Sequence, residues 1–573
     1  MRLINTNTLL FEDFIGQDIP AYAILSHTWG PEEVTFQAMV DPSSRSLKGY
    51  KKIEMTCRLA KAAGLSYAWI DTCCIDKSSS AELTEAVNAM FRWYKRSAIC
   101  YVYLEDLHAD EPWLEFQKCR WLTRGWTLQE LIAPAIVHFY DGMWNFRTTK
   151  SDSINNISAI TGVSQSILRH IVPLRSVSVA QRMSWSAARQ TTRIEDRAYC
   201  LFGIFNVNMP LLYGEEERAF IRLQVEIMRQ GLDFSIFAWK IPLSPETQHK
   251  PETALYSGVL AQSPAWFYDS GRLNSLWQQM ANEFGVENQG IKLDARFLFE
   301  KHPKKRGTLC VLPVSSSTDD YSIGVALRHV GQTVFVRSKP HEFFKLDMSC
   351  WSMTWPHVKR YLLPQLPEIE LGDPPPSVRG RELILEYRKH AIDFIFPEQM
   401  TIREDVVWPI SIWDSEDQAF FLPQDPSSDG AAATLGIRGA FSGSIRGKPF
   451  LKEVDCFIFA LGWGRAEDII PQFTLLDPSQ IGTSSINEIY CQFGLYDYRS
   501  SLPVKQALRS CGILQKSYVA YDIGDLNHTL LIWCIAKKVT ESLLCQSSFW
   551  RLEMLWRIVP SCELPDIFEN GFK

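Results

Sequence analysis

The segment "RGWTLQEL" (residues 124–131) contains the side chain best suited to chemistry, the carboxylate of Glu130, four residues after Trp126. A carboxylate can stabilise a developing positive charge or exchange a proton while a bond breaks. The tetrad from Thr127 to Glu130 also has the form of a capping box, in which both side chains bind free amides at a helix start. The local sequence leaves both roles of Glu130 open.

Five further residues lie where two predicted strands end, and they are Ser26, His27, Trp29, Asp71 and Asp76. In a parallel sheet, ligands bind beyond the carboxyl ends of the strands, where helix N-termini also point. We therefore predict that these five residues and Trp126 bind a substrate beside Glu130. The alternatives are that the aspartates bind local turn amides, that the histidine is a satisfied turn residue, and that the tryptophans only pack.

The segment "WIDTCCID" (69–76) offers a thiol as a second candidate nucleophile. Zinc sites separate paired cysteines by about two to four residues. The adjacent Cys73 and Cys74 would project apart, so no metal site is predicted. Together with His27, either thiol could form a Cys–His hydrolase. The alternative is that both cysteines belong to the core or a turn.

The elements that must position these residues alternate between strands and helices over residues 1–145. Strands are predicted at 22–27, 66–71, 98–107 and 135–141, and helices at 50–64, at 79–96 and from Trp126. The second helix begins with a capping box from Ser79 to Glu82. This order predicts an α/β fold with a doubly wound parallel sheet.

The rest of the chain changes in character twice. Residues 146–239 are predicted to form a helical extension, with a strong amphipathic helix at 214–231. Residues 240–573 contain linker-like stretches and β-type runs, with one predicted helix at 380–394. We predict a mostly β C-terminal region of unknown role that could divide into two subdomains.

Composition narrows the functional class. A chain of 573 residues exceeds one ordinary core, and a net charge of −6 gives no basic face for nucleic acid. No window approaches the roughly 18 apolar residues of a membrane span, and the N-terminus is not a secretory signal. The 14 cysteines are scattered, which indicates a reducing, cytoplasmic setting with mostly buried free thiols. Neither a P-loop nor a dinucleotide fingerprint is present.

Several long blocks in residues 1–239 strongly resemble fungal heterokaryon incompatibility (HET) domain proteins. The blocks are "AYAILSHTWG", "WIDTCCIDKSSSAELTEAVNAMFRWYKRS", "WLTRGWTLQELIAP" and "MSWSAARQTTRIEDRAYCLFGIFNVNMPLLYGEEERAFIRLQ". The resemblance implies a role in programmed cell death after non-self recognition, when genetically unlike hyphae fuse.

The same region also resembles Toll/interleukin-receptor (TIR) domains. "AILSHTWG" resembles their first strand and loop, and Trp126 to Glu130 resembles their W-x-x-x-E stretch. This resemblance implies a flavodoxin-like, TIR-like sheet in which Glu130 is catalytic for cleaving the nicotinamide–ribose bond of NAD. It also implies that Trp29 or Trp126 stacks on the substrate. The loop after the first strand and the long insertion before Trp126 depart from the TIR pattern.

These observations and resemblances predict an incompatibility-type protein that hydrolyses NAD on activation, with Glu130 as its catalytic residue. NAD would be the substrate, and no cofactor or metal is needed, because the charged nicotinamide is already a good leaving group. Self-association on activation is expected, whereas the sequence does not identify the incompatibility partner. The alternative is a non-enzymatic signalling module that acts by self-association or partner binding.

Overall fold

The computed structural model of the chain describes residues 1–16, 18–231, 233–242 and 256–275, together with shorter stretches up to residue 561. These stretches are 281–287, 290–295, 298–301, 308–317, 322–331, 334–346, 358–365, 391–397, 399–408, 413–414, 419–421, 431–445, 448–463, 472–476, 518–523, 528–540 and 548–561. Every structural statement below concerns these residues.

The N-terminal region is a mixed α/β unit built on one sheet. Its strands are β1 (Arg2–Asn5), β2 (Phe11–Asp13), β3 (Tyr22–His27), β4 (Tyr67–Trp69), β5 (Ile99–Tyr103), β6 (Val137–Tyr140) and β7 (Phe146–Thr149). Its helices are α1 (Lys48–Ala62), α2 (Ser80–Arg96), α3 (Arg120–Thr123) and α4 (Thr127–Ile132). All four predicted strands and all three predicted helices are confirmed.

The sheet has a parallel centre and antiparallel edges. Its strand order is β2-β1-β4-β3-β5-β6-β7. Strand β3 pairs in parallel with β4 and β5, and β5 pairs in parallel with β6. The outer strands β1 and β7 pair antiparallel with β4 and β6. Strands β1, β2 and β7 are short and were not predicted from the sequence, although the turn-rich "NTNT" between β1 and β2 is a hairpin signal.

Helices cover both faces of this sheet. On one face, the Tyr101 hydroxyl donates to the carbonyl of Leu59 in α1 (3.2 Å). On the other, the ring of Trp69 packs edge-on against Trp93 and Tyr94 of α2. Helix α1 buries Ile53, Cys57 and Ala60 as its spacing predicts, and it ends before Gly64, which has a left-handed φ of 75°.

A helical extension follows the sheet. Its helices are α5 (Ile154–Thr161), α6 (Gln165–Leu168), α7 (Val179–Ser184), α8 (Asp196–Tyr199), α9 (Phe202–Phe205) and α10 (Arg218–Gln230). Over the sheet, the extension and the residues that follow, the described part of the chain also has six 3-10 turns. They lie at Ala38–Val40, Pro42–Ser46, Trp113–Lys118, Leu174–Ser176, Phe234–Phe237 and Pro264–Phe267. Helix α10 is the predicted amphipathic helix, and it begins just after the acidic run that was expected in its first turn.

The described residues after 255 are mostly strands. They are β8 (Tyr256–Ser257), β9 (Leu273–Ser275), β10 (Ala281–Glu287), β11 (Gly290–Ala295), β12 (Leu298–Lys301), β13 (Thr308–Ser317), β14 (Ser322–Gly331), β15 (Val334–Ser338), β16 (Phe344–Leu346), β17 (Val358–Leu362), β18 (Ala391–Ile395), β19 (Met400–Trp408), β20 (Trp413–Asp414), β21 (Ala419–Phe421), β22 (Ala431–Ile445), β23 (Lys448–Trp463), β24 (Gln472–Leu476), β25 (Tyr518–Asp522), β26 (His528–Thr540) and β27 (Ser548–Pro560).

These strands form three sheets, of ten, six and four strands within the described stretches. The predicted β-type runs are confirmed. The helix predicted at 380–394 is wrong over its last residues, because β18 occupies 391–395 and pairs in parallel with β27. Residues 380–390 of that prediction lie outside the described residues. No helix in the described part is long and apolar enough to cross a membrane.

The buried core continues across the predicted boundary at residues 239 and 240. One hydrophobic cluster extends from Leu3 to Leu362, and a second one lies among strands between Phe394 and Met554. Arg337 of β15 joins the two sides of the boundary. Its guanidinium is buried, donates to the carbonyls of Phe237 (2.7 Å) and Trp239, and lies over the Trp239 ring. The domain limits themselves stay a prediction.

The contact between α2 and α9 depends on Gly203. A Cβ atom at this position would lie 2.0 Å from the Cβ of Phe91. We expect Gly203→Ala to destabilise the protein by about 1–3 kcal/mol, because the two helices would have to separate. Thermal unfolding of the full chain measures this loss. Gly231→Ala is the control, since nothing lies within 4 Å of the added atom. Equal melting temperatures of the two variants would contradict the prediction.

Candidate functional site

Glu130 does not cap the helix on which it lies. The N-cap of α4 is Trp126, which has helical dihedral angles and no side-chain cap bond. The hydroxyl of Thr127 donates to the carbonyls of Trp121 and Arg124. The Glu130 carboxyl instead accepts a hydrogen bond from Ser26 at 2.5 Å. The capping-box alternative is therefore wrong.

A chain of buried hydrogen bonds leads to the Glu130 carboxyl. The indole nitrogen of Trp121 donates to the Ser26 hydroxyl at 2.8 Å, and that hydroxyl donates to Glu130 Oε2. Tyr94 also lies within hydrogen-bonding distance of Glu130. The Tyr94 hydroxyl also donates to the Leu25 carbonyl at 2.9 Å. The hydrogen bonds with Ser26 and Tyr94 favour the ionised carboxyl and lower its pKa, against the larger effect of burial.

Burial controls the ionisation of Glu130. The residue is only 6% exposed, and burial raises the pKa of its carboxyl from 4.5 to about 7. The positive charge of Arg124 lowers this pKa, and the negative charge of Asp71 raises it. Near neutral pH the group can therefore be present in both forms. A carboxyl with such a pKa can either donate a proton or stabilise a cation.

His27, the neighbour of Ser26 in β3, belongs to a second cluster on the same strand end. The buried ammonium of Lys52 donates to His27 Nδ1 (3.2 Å) and to the carbonyl of Thr28 (3.1 Å), and it pairs with Glu33. An ammonium has no acceptor, so Nδ1 carries the lone pair and the ring proton lies on Nε2. Nε2 then donates to Asp71 Oδ1 at 3.1 Å.

Asp71 links this cluster to an exposed aromatic ring. The indole nitrogen of Trp29 donates to Asp71 Oδ2 at 2.8 Å, and the Trp29 side chain is 40% exposed. Lys77 lies 3.4 Å and Arg124 5.2 Å from the centre of that ring. Burial opposes ionisation of Asp71, but the bond from His27 and the charges of Lys77 and Arg124 hold its pKa well below the ordinary range.

Arg124 connects the two clusters. Its guanidinium donates to the backbone carbonyl of His27 at 3.2 Å, and its charge acts on both Glu130 and Asp71. The structure thus brings Ser26 directly to Glu130 and gathers the other strand-end residues His27, Asp71 and Trp29 beside them. That these residues bind a substrate stays a prediction.

The two remaining predicted residues make other contacts. Asp76 accepts bonds from the amide and hydroxyl of Ser78 and from Gln37, which is the local turn role considered for it. Hydrogen bonding to Ser78 lowers the pKa of Asp76. The Trp126 nitrogen donates to Asp196 of the helical extension at 3.4 Å. In these contacts neither residue touches Glu130 or Asp71.

Comparison with known proteins assigns the N-terminal part of the chain to a domain family. The sequence model "Heterokaryon incompatibility protein (HET)" matches residues 22–117. Vegetative incompatibility protein HET-E-1 of Podospora anserina is 44% identical over 267 residues, which is 44% of this chain. Residues 22–117 of the chain therefore form a HET domain.

The similarity to HET-E-1 is partial, because the aligned part covers 19% of that protein. The HET family match ends before Glu130, at residue 117. A second model, a domain of unknown function named DUF8212, matches residues 218–300, a region in which the sequence analysis found no known motif beyond residue 240. No solved structure matches the chain.

The thiols of the HET domain are placed as core residues. Cys73 and Cys74 are buried, and burial raises the pKa of the Cys73 thiol well above its usual value. Both ring nitrogens of His27 are already bound, to Lys52 and Asp71. A thiol nucleophile needs an accessible thiolate beside a base, so the Cys–His alternative loses its support. The seven cysteines whose side chains the structure describes are free and buried, as expected.

Four residues that complete this site were not predicted from the sequence: the cations Lys52, Lys77 and Arg124, and Trp121. Lys52 carried a usable signal. It lies four residues before Thr56 and eight before Ala60, both fully buried, so it occupies the buried face of α1. A lysine on such a face almost always has a partner. Arg124, Lys77 and Trp121 carried no comparable signal.

Proposed function

We propose that this protein acts in heterokaryon incompatibility, and that its N-terminal domain is TIR-like and hydrolyses NAD on activation with Glu130 as the catalytic residue. The carrying observation is the Glu130 carboxyl, which is buried, has a raised pKa and binds Ser26 at the end of the first parallel strand. The parallel strands lie in the order β4-β3-β5-β6 across the sheet, so the second parallel strand of the chain comes first, followed by the first, third and fourth. This order matches the start of a flavodoxin-like sheet and supports the TIR-like assignment.

The reaction requires little more than a placed carboxylate. Water adds to C1′ of the ribose, the bond from C1′ to the nicotinamide nitrogen breaks, nicotinamide leaves as a neutral molecule, and one proton is released. The transition state resembles an oxocarbenium ion. The ionised form of Glu130 would stabilise that positive charge in a low-dielectric site. Its pKa of about 7 leaves a large ionised fraction at neutral pH.

The exposed side of the cluster suits the rest of a dinucleotide. The ring of Trp29 is 40% exposed and can stack on a base. Lys77 and Arg124 lie against that ring and carry the charges that a diphosphate prefers. Because Trp126 is bound to Asp196, Trp29 is the better candidate for stacking.

Activation would have to open the site. Glu130 is 6% exposed in this structure, so a substrate needs a rearrangement to reach it. Self-association is a reasonable trigger, because packing of copies can shift the exposed Trp29 and its cation partners. An opened site would also admit water and lower the pKa of Glu130, since desolvation is what raises it.

The test measures NAD consumption and nicotinamide release by the purified full chain, free and fused to a domain that forces clustering. We expect turnover on clustering, and a loss of at least about 100-fold in Glu130→Gln. Glu85→Gln, at an exposed position of α2, is the matched control and should turn over NAD at the wild-type rate. If the clustered wild type never consumes NAD, the enzymatic proposal fails.

One observation favours the non-enzymatic alternative. The partners of Glu130, namely Ser26, Trp121 and Tyr94, are all buried, so the carboxyl could serve only to hold β3, α2 and α4 together. A signalling module of this kind predicts that Glu130→Gln still triggers death in a fungal host. Loss of death in a variant that folds and clusters normally supports the enzyme instead.

A further inference from the structure

A large cavity lies between α2, α7, α9 and the end of α10, and Glu130 is not among its lining residues. Its volume is about 1210 Å³. This is somewhat larger than the roughly 300–1,000 Å³ found for small-molecule sites. The inner wall is formed by buried apolar side chains, which are Ile132, Ile204, Phe205, Ile227, Met228 and Ile236. An apolar group of substantial length can be accommodated there.

The charge of the cavity lining is strongly one-sided. Arg92, Lys95 and Arg175 are exposed residues of the lining, and Arg182 lies in its buried part. Among the lining residues that the structure describes, Asp233 is the sole acid. Both of its oxygens already accept backbone bonds, from the amides of Val179 (2.8 Å) and Ser235 (3.0 Å). The lining therefore attracts an anion.

The guanidinium of Arg182 has one buried nitrogen without a hydrogen-bond partner. It is 9% exposed, donates through one terminal nitrogen to the carbonyl of Ile204 (3.2 Å), and lies 4.5 Å from the centre of the Phe205 ring. Its Nε atom is buried without any hydrogen-bond partner. The charge of Asp233 acts on Arg182, but within the described chain no carboxylate lies in ion-pair distance of its guanidinium. A buried guanidinium without a carboxylate partner lowers the stability of the fold unless another anion binds it.

We propose that this cavity binds an anionic amphiphile, with its carboxylate or phosphate head on Arg182 and its apolar body along the inner wall. Arg182 supplies a charged donor for the head, and Ile204, Phe205 and Ile227 supply apolar contact for the body. The exposed cations at the mouth draw the anion in. This site is separate from the Glu130 site, so the two proposals stand or fall independently.

The experiment titrates the full chain with dodecanoate or dodecyl phosphate below their micelle concentrations, using calorimetry and native mass spectrometry. Dodecanol and dodecyltrimethylammonium have the same tail without an anion. We expect binding of one molecule of at least one anion, and weaker binding of both controls by about 10-fold or more. Whichever anion binds more tightly identifies the head group. Equal binding of dodecanol, or no binding of either anion, overturns the proposal.

Two sets of variants locate the site. Arg182→Met should weaken anion binding by about 10- to 100-fold, whereas Arg58→Met, on an exposed part of α1, should change it less than about twofold. Ile171 lines the cavity, and its side chain is 70% exposed to solvent, so a substitution at this position does not threaten folding. Ile171→Glu should weaken anion binding relative to Ile171→Lys. Equal affinities of the Ile171 pair, or of wild type and a folded Arg182→Met, contradict the proposed site.

Discussion

Glu130→Gln is expected to stabilise the protein by about 3 kcal/mol at pH 8 and to leave it nearly unchanged at pH 4.5. The pKa of Glu130 rises from 4.5 in the unfolded chain to about 7 in the fold, and each pKa unit is worth about 1.4 kcal/mol. The folded state therefore holds a proton that the unfolded state has lost between these two pH values. Wild-type stability falls with rising pH across that window, and glutamine removes the ionisation.

This difference is measured by hydrogen exchange of the β3 and α4 amides in wild type and in Glu130→Gln. Comparing the two proteins at equal pH cancels the effect of pH on the intrinsic exchange rate. Glu85→Gln, at an exposed position, serves as the control and should show no pH-dependent difference. A capping role would instead predict a loss of about 0.5–2 kcal/mol in Glu130→Ala, with Glu130→Gln nearly harmless at both pH values. If Glu130→Gln were destabilising at pH 8, the carboxyl would be ionised and paired in the fold.

Lys52→Met is expected to destabilise the protein by about 3–5 kcal/mol. Lys52 is 7% exposed, and its ammonium binds Glu33, the carbonyl of Thr28 and His27 Nδ1. Removing it leaves the Glu33 carboxylate, whose side chain is only 11% exposed, without its cation. It also frees His27 Nδ1, so the proton of the ring is no longer fixed on Nε2 toward Asp71.

Two further variants make the Lys52 prediction specific. Lys51→Met removes the neighbouring lysine, which is exposed and pairs only with Glu54 along the helix surface, and should cost less than about 1 kcal/mol. The double variant Lys52→Met with Glu33→Gln should recover much of the loss, because both charges are then removed. Thermal unfolding of the full chain compares the four proteins. An additive double variant would show that the Lys52–Glu33 pair is not the source of the loss.

The two predictions concern charged groups at the same strand end that affect the stability of the fold in opposite directions. The Lys52 cluster stabilises the fold by pairing its charges, whereas the Glu130 carboxyl, with a pKa of about 7, costs stability once it ionises. Groups that lower stability in this way occur preferentially at functional sites. This contrast is the reason to test Glu130 first.

Local sequence determined the elements of the N-terminal unit. The predicted strand at 22–27 is β3 residue for residue, and the capping box at Ser79 places the start of α2 correctly. The Ser79 hydroxyl accepts the amide of Glu82 at 3.3 Å. Such contacts depend on residues a few positions apart, so periodicity and end signals suffice to predict them. The short edge strands β1, β2 and β7 offered too little pattern.

The role of Glu130 was decided by tertiary structure. Thr127 to Glu130 has the same capping pattern as Ser79 to Glu82, yet Thr127 binds carbonyls of the preceding turn and Glu130 binds Ser26, 104 residues away in the chain. Sequence placed Ser26 and Glu130 at the same edge of a parallel sheet, but it could not choose between a cap and a cross-sheet partner. That choice depends on burial, which removes water as a competitor and makes the Ser26 hydroxyl the available donor.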